Sequence, residues 1–326
     1  MPALAAEELM SERIITLLGG SGFIGRHLIR LLAAQNYRIR VAVRHPEKAK
    51  FLQPLGDVGQ IVPIQVNLRD DTSVLAAVNG ASAVVNLVGV LRNRGHQTFA
   101  TLHGEGPGRV GRLAVLGGVE RLIHISAIGA SSDSPSRYAQ SKAAGEATLK
   151  NEYSGATIVR PSLVFGPEDQ FFNRFGAMAA ISPVLPLFGD SFADAGATKF
   201  QPIFVGDVAA AIAQCLSDEV TVGKTYEIGG PRVYSFRQLM ELVLEYTGRR
   251  CLLLPVPFSI ASVGATFLEM VPQTPLTRDQ LKLLRIDNVC DALPGLAEVG
   301  VSPTPLEAVV PGFLARFRKG GRAVAA

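Results

Sequence analysis

The feature that most constrains this chain is a glycine-rich turn near its N-terminus. An apolar run, RIITLLGG, precedes the turn and has the pattern of a buried strand, while FIGRHLIRLLAAQNY follows it with the spacing of an amphipathic helix. Two overlapping patterns describe the turn, Gly19-x-x-Gly22-x-x-Gly25 and Gly20-x-Gly22-x-x-Gly25. A strand that turns this tightly into a helix predicts the start of a β-α-β unit.

The same turn predicts a dinucleotide site. Glycines allow the backbone to turn tightly and to approach a pyrophosphate, and the first turn of the helix presents amide groups and the positive end of its dipole. The residues that we expect to line the phosphates are Gly19, Gly20, Ser21, Gly22, Phe23, Ile24 and Gly25. The alternative is a tight strand-to-helix turn that binds no ligand.

Strands and helices alternate from the first strand to Gly166. Further apolar runs predict strands in RIRVAVR, GQIVPIQVNL, SAVVNLVGV, RLIHISAIG and ATIVRPSLVFG, and helical segments lie between them. Strands that are apolar on both faces and alternate with helices indicate a parallel sheet covered on both sides. The predicted fold class is therefore α/β, with a Rossmann-type doubly wound parallel sheet.

The composition changes after Gly166. PEDQFFNRFG and ISPVLPLFGDSFADAGATKF are rich in proline, glycine and aromatic residues and predict loops, although Phe171, Phe172 and Phe175 have a helical spacing suited to core packing or to an apolar channel. A strand and a helix return in FQPIFVGDVAAAIAQCLSD, and TYEIGGP predicts a short strand. We therefore predict a nucleotide-binding domain over residues 1–170, completed by residues 200–230, and a smaller, mostly helical lobe for a substrate or partner over residues 171–199 and 231–326.

Composition favours a globular protein with a large core. The 326 residues are 48% hydrophobic and 18% charged, which argues against disorder. A formal charge of +4, with lysines and arginines scattered along the chain, argues against a nucleic-acid partner. No metal site is predicted, because the three cysteines are widely spaced and the histidines lack metal-ligand spacing and are assigned structural or solvent-facing positions. These residues are Cys215, Cys251, Cys290, His96, His103 and His124.

Two stretches bear on location. The first residues, MPALAAEELMSER, contain no basic segment followed by an apolar one, so we predict no secretory signal and a cytoplasmic protein. Residues 251–268, CLLLPVPFSIASVGATFL, carry no charge, but prolines interrupt their start and hydroxyl residues dilute the rest. We therefore expect a packed or surface-lying helix there rather than a membrane span.

The end of the second predicted strand indicates which dinucleotide binds. An acidic residue there binds the ribose hydroxyls of NAD, but RIRVAVRHPEK ends in Arg44 and His45, with no carboxylate before Glu47. A guanidinium can hold a phosphate through two hydrogen bonds and can stack on adenine. We therefore expect NADP(H), with Arg44 as the main contact to its 2′-phosphate. If Arg44 is only a solvated strand end, NAD(H) binding stays open.

A tyrosine and a lysine stand four residues apart in SRYAQSK. On a helix that spacing places Tyr138 and Lys142 on one face, where an ammonium can hold a phenol in a proton-transfer site. Ser126 lies at the end of the fifth predicted strand, at the edge where sheets of this class bind ligands. The alternative is a surface tyrosine and lysine that share a helix by chance.

Five segments occur in the order and with the rough spacing of the motifs of a known enzyme superfamily: GGSGFIGRHL, VVNLVGV, IHISA, YAQSK and RPSLVFGPED. With them the chain resembles the short-chain dehydrogenase/reductase superfamily, in its extended or atypical branch. The resemblance implies that Ser126 orients a substrate carbonyl, Tyr138 transfers the proton, and Lys142 holds the nicotinamide ribose and lowers the pKa of the tyrosine. It also implies that the cofactor is contacted by Asn67, Leu68, Leu87, Val88, Gly89, Pro161 and Leu163, besides Tyr138 and Lys142.

Three further segments extend a narrower resemblance over nearly the whole chain. GPEDQFFNRF, KFQPIFVGDVAAAI and LTRDQLKLLRIDNVCDALPGLAEVGVSPTPLE are similar to the nucleotide-binding accessory subunits of respiratory complex I and their bacterial relatives. The family implies a tightly held NADPH with a structural or regulatory role near the quinone end of the complex, and it has relatives linked to ubiquinone metabolism. It therefore also implies docking to respiratory complex I or a peripheral position on the inner membrane.

Three functions follow from these observations. The first is an NADPH-dependent oxidoreductase that acts on a hydrophobic or quinone-related substrate, since the second lobe is apolar and weakly charged. The second is a non-catalytic module of the complex I type that keeps NADPH as part of its structure. The third is a sugar-nucleotide epimerase or dehydratase, against which the lack of an obvious basic cluster in the second lobe argues.

Overall fold

The chain forms two compact units. The computed structural model describes residues 13–268, 277–291 and 293–320, and the side chains of all of these except residues 267 and 268. The stretch on which the prediction of no secretory signal rests therefore lies almost wholly outside the described residues. Of the described residues, the first unit contains 13–161, 205–228 and 293–302, and the second contains 162–204, 229–268, 277–291 and 303–320.

Short strands and helices follow one another along the chain, and both are numbered in chain order. The strands are β1 (Ile14–Leu18), β2 (Arg38–Val43), β3 (Ile61–Gln65), β4 (Ala83–Asn86), β5 (Arg121–Ile125), β6 (Thr157–Pro161), β7 (Val164–Phe165), β8 (Val184–Gly189), β9 (Lys199–Phe200), β10 (Ile203–Phe204), β11 (Thr225–Ile228), β12 (Tyr234–Ser235) and β13 (Leu252–Pro257). The α-helices are α1 (Phe23–Ala34), α2 (Asp71–Val78), α3 (Gly106–Leu116), α4 (Arg137–Glu152), α5 (Phe171–Ile181), α6 (Val205–Ser217), α7 (Phe236–Thr247), α8 (Phe258–Leu268), α9 (Arg278–Leu283) and α10 (Leu306–Leu314). A 3₁₀ segment (Pro46–Leu55) follows β2, and a π-helical turn (Ala100–Glu105) leads into α3.

Seven parallel strands form the sheet of the first unit, in the order β11–β6–β5–β4–β1–β2–β3. The strand order reverses between β1 and β4, which in such sheets opens a crevice at the carboxyl ends of the strands. Helix α1 packs against α6, while α2, α3 and α4 pack in succession and share an apolar core with the strands. The predicted α/β class with a Rossmann-type doubly wound sheet is confirmed.

The second unit combines helices with paired strands. Within its described residues, β7 pairs with β10, β8 with β13 and β9 with β12, each as a two-stranded sheet. Its core includes apolar side chains of α5, α7 and α10, and the largest buried ones are Phe165, Phe172 and Phe236. This lobe is largely helical, as predicted, but it contains more strand than its sequence indicates.

The loop predicted for PEDQFFNRFG is wrong in its second half, because α5 begins at Phe171. The Asp169 carboxylate accepts hydrogen bonds from the backbone N–H groups of Phe172 at 2.7 Å and Asn173 at 3.3 Å, which satisfies the first turn of the helix. Phe172 is fully buried, and Phe171 and Phe175 pack against the same core. Core packing thus outweighs the loop-forming composition.

The loop predicted for residues 181–200 and the helix predicted for residues 251–268 are also wrong in part. Strands β8 and β13 pair in parallel, from Val184 opposite Leu252 to Gly189 opposite Pro257. Proline has no N–H to donate, but a strand with an open edge can hold it, so β13 accommodates two prolines. Helix α8 starts only after Pro257. Among the residues that the structure describes, no helix is long and apolar enough to span a membrane.

Candidate functional site

The glycine-rich turn joins β1 to α1 with little space for side chains. Gly19 has a φ of +78°, which favours glycine, and its N–H donates to the Ala42 carbonyl at 2.9 Å. A methyl group at Gly25 would overlap the carbonyl oxygen of Gly20 and lie 2.7 Å from its Cα, so helix and turn meet backbone to backbone. Helix α1 begins after Gly22 without a side-chain cap. An uncapped first turn behind a glycine turn suits a bound phosphate.

The loop after β4 lies beside this turn. The N–H of Leu87 donates to the carbonyl of Leu18, the last residue of β1, at 2.9 Å. A methyl group at Gly19 would lie 3.3 Å from the backbone nitrogen of Val88. A methyl group at Gly89 would lie 3.7 Å from Lys142 Nζ. The loop therefore runs between the glycine-rich turn and the lysine of α4, where we predict contacts to a dinucleotide.

A cavity of about 250 Å³ lies at the carboxyl ends of β2 and β3. Its lining residues are Arg44, His45, Gln65, Val66, Asn67 and Arg69. None of these six residues carries a carboxylate, although Glu47 faces the exposed ring of His45, 3.4 Å from Nδ1. The Arg44 guanidinium contacts the side-chain amide of Gln97. The cavity thus places two guanidinium groups and an imidazole at one end of the sheet.

Asn67 and Leu68 take different positions at this cavity. Asn67 is exposed, and its Oδ1 accepts the N–H of Arg69 at 3.2 Å. Leu68 is buried in the apolar core between strands and helices. A ligand in the cavity can therefore contact the Asn67 side chain, whereas Leu68 is not among the residues that line it.

Pro161 and Leu163 belong to different units. Pro161 ends β6, and its carbonyl accepts the N–H of Ile128 at 3.2 Å within the first unit. Leu163 lies in the second unit, where its N–H donates to Asn288 Oδ1 at 2.9 Å. Asn288 also accepts the Ser162 hydroxyl at 2.7 Å. Asn288 therefore holds the two residues that follow β6.

Ser126, Tyr138 and Lys142 come from the carboxyl end of β5 and the first turns of α4. Lys142 is only 4% exposed; its Nζ donates to the Ile125 carbonyl at 3.0 Å and lies 6.0 Å from the centre of the Tyr138 ring. Ser126 is equally buried, and no described residue forms a hydrogen bond with its Oγ. A buried hydroxyl normally has a partner, so this one is suited to a bound substrate.

Burial controls the ionisation of the tyrosine and the lysine. Desolvation raises the pKa of Tyr138 to about 12. It also lowers the pKa of Lys142 to about 8, although the charge of Glu146 raises it. The net direction is opposite to the one expected from the lysine, because the desolvation of the phenol outweighs an ammonium 6.0 Å from its ring. At neutral pH the phenol keeps its proton and the lysine is largely charged.

A buried ion network continues from Lys142 into the sheet. Arg160 of β6 donates to both carboxylate oxygens of Glu146, at 2.9 and 2.6 Å, and to Glu227 of β11 at 3.2 Å. The two carboxylates are 6% and 7% exposed, so each needs a partner in the interior. The network fixes α4 to the sheet and keeps a negative charge one helical turn from Lys142.

The buried lysine predicts a pH-dependent difference in stability. Its pKa of about 8 lies below the reference value of 10.5, so between these values the unfolded chain binds more protons and stability rises with pH. We expect the free energy of unfolding of the wild type to rise by about 2 kcal/mol relative to that of Lys142→Met between about pH 7 and about pH 9.5. Denaturant titration of the nucleotide-free proteins measures it. An equal trend against Lys150→Met, an exposed lysine of the same helix, would contradict the assignment to Lys142.

Two residues of this region were not among the predicted site residues. Arg69 follows Asn67 and Leu68 at the end of β3, and because β3 neighbours β2, the position beside Arg44 could have been predicted. Of the two positions expected for His103, structural or solvent-facing, the structure shows a buried one, and the ring centre lies 5.3 Å from that of Tyr138. His103 and Tyr138 lie far apart in the sequence and share no motif, so the sequence does not indicate their contact.

Comparison with known proteins identifies the family. The NAD dependent epimerase/dehydratase family matches residues 15–229, which span the glycine-rich turn, the sheet and the residues around Tyr138. The chain belongs to the NAD-dependent epimerase/dehydratase family.

A relative that matches nearly the whole chain confirms the narrower resemblance as well. NADH dehydrogenase (ubiquinone) 1 alpha subcomplex subunit 9, mitochondrial, from Arabidopsis thaliana is 34% identical over 325 residues, which cover 96% of this chain and 80% of the relative. A ceramide reductase from Caulobacter vibrioides is 30% identical over 60% of this chain and 59% of its own length. A solved dTDP-glucose 4,6-dehydratase from Streptomyces venezuelae, with NAD bound, is 20% identical and covers 93% of this chain and 96% of its own, with a TM-score of 0.68. This last likeness concerns the fold.

Proposed function

We propose that this member of the NAD-dependent epimerase/dehydratase family binds NADP(H). The observation that carries the proposal is the cavity at the ends of β2 and β3, where Arg44, His45 and Arg69 are gathered and no lining residue is acidic. A 2′-phosphate needs cationic donors, whereas a free ribose needs an acceptor such as a carboxylate. The glycine-rich turn fits the pyrophosphate, since Gly25 leaves no room for a methyl group between helix and turn.

The two arginines predict the nucleotide preference. Arg44→Ala and Arg69→Ala should each weaken NADP⁺ binding by roughly 10- to 100-fold, the equivalent of one charge-assisted contact, and change NAD⁺ binding much less. Arg38→Ala is the matched control. Arg38 is an exposed arginine at the start of β2, the end of the strand opposite to Arg44. Dissociation constants from fluorescence or calorimetric titration measure the effect. Equal weakening of NAD⁺ and NADP⁺ binding would contradict a role in reading the 2′-phosphate.

We further propose an NADPH-dependent reduction of a hydrophobic carbonyl or quinone-related substrate. A nicotinamide dinucleotide supplies the hydride in such a reaction. Ser126 Oγ, buried and without a described partner, donates a hydrogen bond to the substrate carbonyl. Tyr138 donates the proton to the developing alkoxide, since its pKa of about 12 keeps the phenol protonated until then. Lys142 stabilises the phenolate that remains. The ceramide reductase among the relatives supports an apolar substrate.

A second candidate is a module that keeps NADPH as part of its structure and docks on respiratory complex I at the inner membrane. It is favoured by the relative from Arabidopsis thaliana, which is named as a subunit of NADH dehydrogenase and covers almost the whole chain. The release rate of co-purified nucleotide, chased with excess NADP⁺, separates the two candidates. Exchange within seconds supports the reductase, whereas retention for hours together with co-sedimentation with membranes supports the module.

A further inference from the structure

The π-helical turn before α3 packs directly against α4. A methyl group at Gly145 would overlap the carbonyl oxygen of His103, so the two backbones touch there. The side chain of His103 is almost fully buried and reaches from this contact to the loop after β4. A methyl group at Gly89 of that loop would lie 3.6 Å from His103 Nε2. The His103 side chain thus contacts both the loop after β4 and helix α4, which carries Tyr138.

Hydrogen bonds fix the orientation and the tautomer of the His103 ring. Nε2 accepts the N–H of Val90 at 2.9 Å, so the ring proton lies on Nδ1. Nδ1 then donates to Ser141 Oγ at 3.1 Å, and the Ser141 hydroxyl donates to the Tyr138 carbonyl at 2.7 Å. Burial and the charge of Lys142 lower the pKa of His103 to about 3, so the ring stays neutral. The hydrogen bonds therefore run in one direction, from the loop to the tyrosine backbone.

Two aromatic rings also pack against the His103 ring. It stacks on Phe99 with ring centres 5.4 Å apart and an interplanar angle of 16°. Tyr138 stands edge-on to both rings, 5.3 Å from His103 and 5.8 Å from Phe99. Edge-to-face pairs of this kind hold a ring in one orientation. The phenol that we assign as the acid is therefore positioned against His103.

We propose that His103 is a positioning residue that couples the dinucleotide-contacting loop after β4 to the Tyr138 ring. The proposal rests on the proposed function, because it takes this loop to contact the bound NADP(H). Loss of the imidazole would leave Val90 without its acceptor and the loop without its tie to α4. A nucleotide would then have to order the loop by itself, which weakens its binding.

The test follows NADPH release from variants of the full chain, preloaded and chased with excess NADP⁺. His103→Leu removes both hydrogen bonds and should release nucleotide about tenfold faster than the wild type. Ser141→Ala keeps the bond from Val90 to His103 but removes the bonds from His103 to Ser141 and from Ser141 to the Tyr138 carbonyl, so its release rate should fall between those of the wild type and His103→Leu. His103→Gln, whose amide can accept from Val90 and donate to Ser141, should restore most of the wild-type rate. His96→Leu, at an exposed position, should release nucleotide like the wild type.

Hydrogen exchange of the Val90 amide in the nucleotide-free protein gives a second readout. It should be faster by a similar factor in His103→Leu and close to wild type in His103→Gln. Unchanged release and unchanged exchange in His103→Leu would overturn the coupling and leave NADP(H) binding intact. A wild type that binds no NADP(H) would overturn both proposals, so the two failures are distinguishable. If His103→Leu does not fold, the release rates of the other two variants test the proposal. Ser141→Ala should then release NADPH faster than His103→Gln, and equal rates would contradict the coupling.

Discussion

Tyr138→Phe is expected to slow NADPH-dependent reduction of a hydrophobic carbonyl or quinone-related substrate by about 10²- to 10⁴-fold. Phenylalanine keeps the ring contacts to Phe99 and His103, at 5.8 and 5.3 Å, but it has no proton to donate. Nucleotide affinity should therefore change little while turnover is lost. Steady-state kcat and KM, together with a separate titration of NADP⁺, measure the two effects.

Tyr153→Phe is the matched control for this prediction. Tyr153 follows the last residue of the same helix, and its hydroxyl donates to the Val119 carbonyl at 2.9 Å. Its loss should lower the free energy of unfolding by about 1 kcal/mol without affecting turnover. Undiminished turnover in Tyr138→Phe would refute the role of this phenol as the acid, whatever the substrate.

Gly25→Ala is expected to weaken binding of any nicotinamide dinucleotide by about 100-fold or more. The added methyl group would overlap the Gly20 carbonyl oxygen and approach the carbonyl carbon to 2.6 Å. These are backbone atoms, so the turn and the helix must move apart, and the amide groups of the first helical turn move with them. Titration of the variant with NADP⁺ and with NAD⁺ should show a parallel loss.

Gly312→Ala tests whether this effect belongs to the site. Gly312 lies inside α10, and a methyl group there meets no atom within 4 Å. Alanine should therefore stabilise the helix by up to about 1 kcal/mol and leave nucleotide binding unchanged. Wild-type nucleotide affinity in Gly25→Ala would mean that the turn is not the pyrophosphate site.

Together the two variants separate the candidate functions. Loss of nucleotide in Gly25→Ala should impair both a reductase and a structural module, because both need the cofactor. Tyr138→Phe should impair only the reductase. A Tyr138→Phe variant that keeps NADPH and membrane association, beside a wild type without turnover on any substrate, would therefore favour the structural module.

Much of the fold could be predicted because its signals are local. The strand, glycine turn and amphipathic helix at residues 13–37 follow from hydrophobic periodicity and from the backbone freedom of Gly19. The spacing of Tyr138 and Lys142 places them on one helical face wherever the helix packs. The errors lie where partners are distant in sequence. Strand β8 forms because β13 pairs with it. The amino-acid composition near either strand does not predict that pairing.

The sequence by itself determined the doubly wound sheet, the glycine-rich turn and the tyrosine–lysine spacing, since these depend on residues a few positions apart. The tertiary structure alone placed His103 against Tyr138 and left the Ser126 hydroxyl buried without a described partner. It also decided that the pKa of Tyr138 rises rather than falls, because desolvation depends on everything packed around the phenol. Burial and long-range contact are properties of the folded chain, and no short stretch of sequence specifies them.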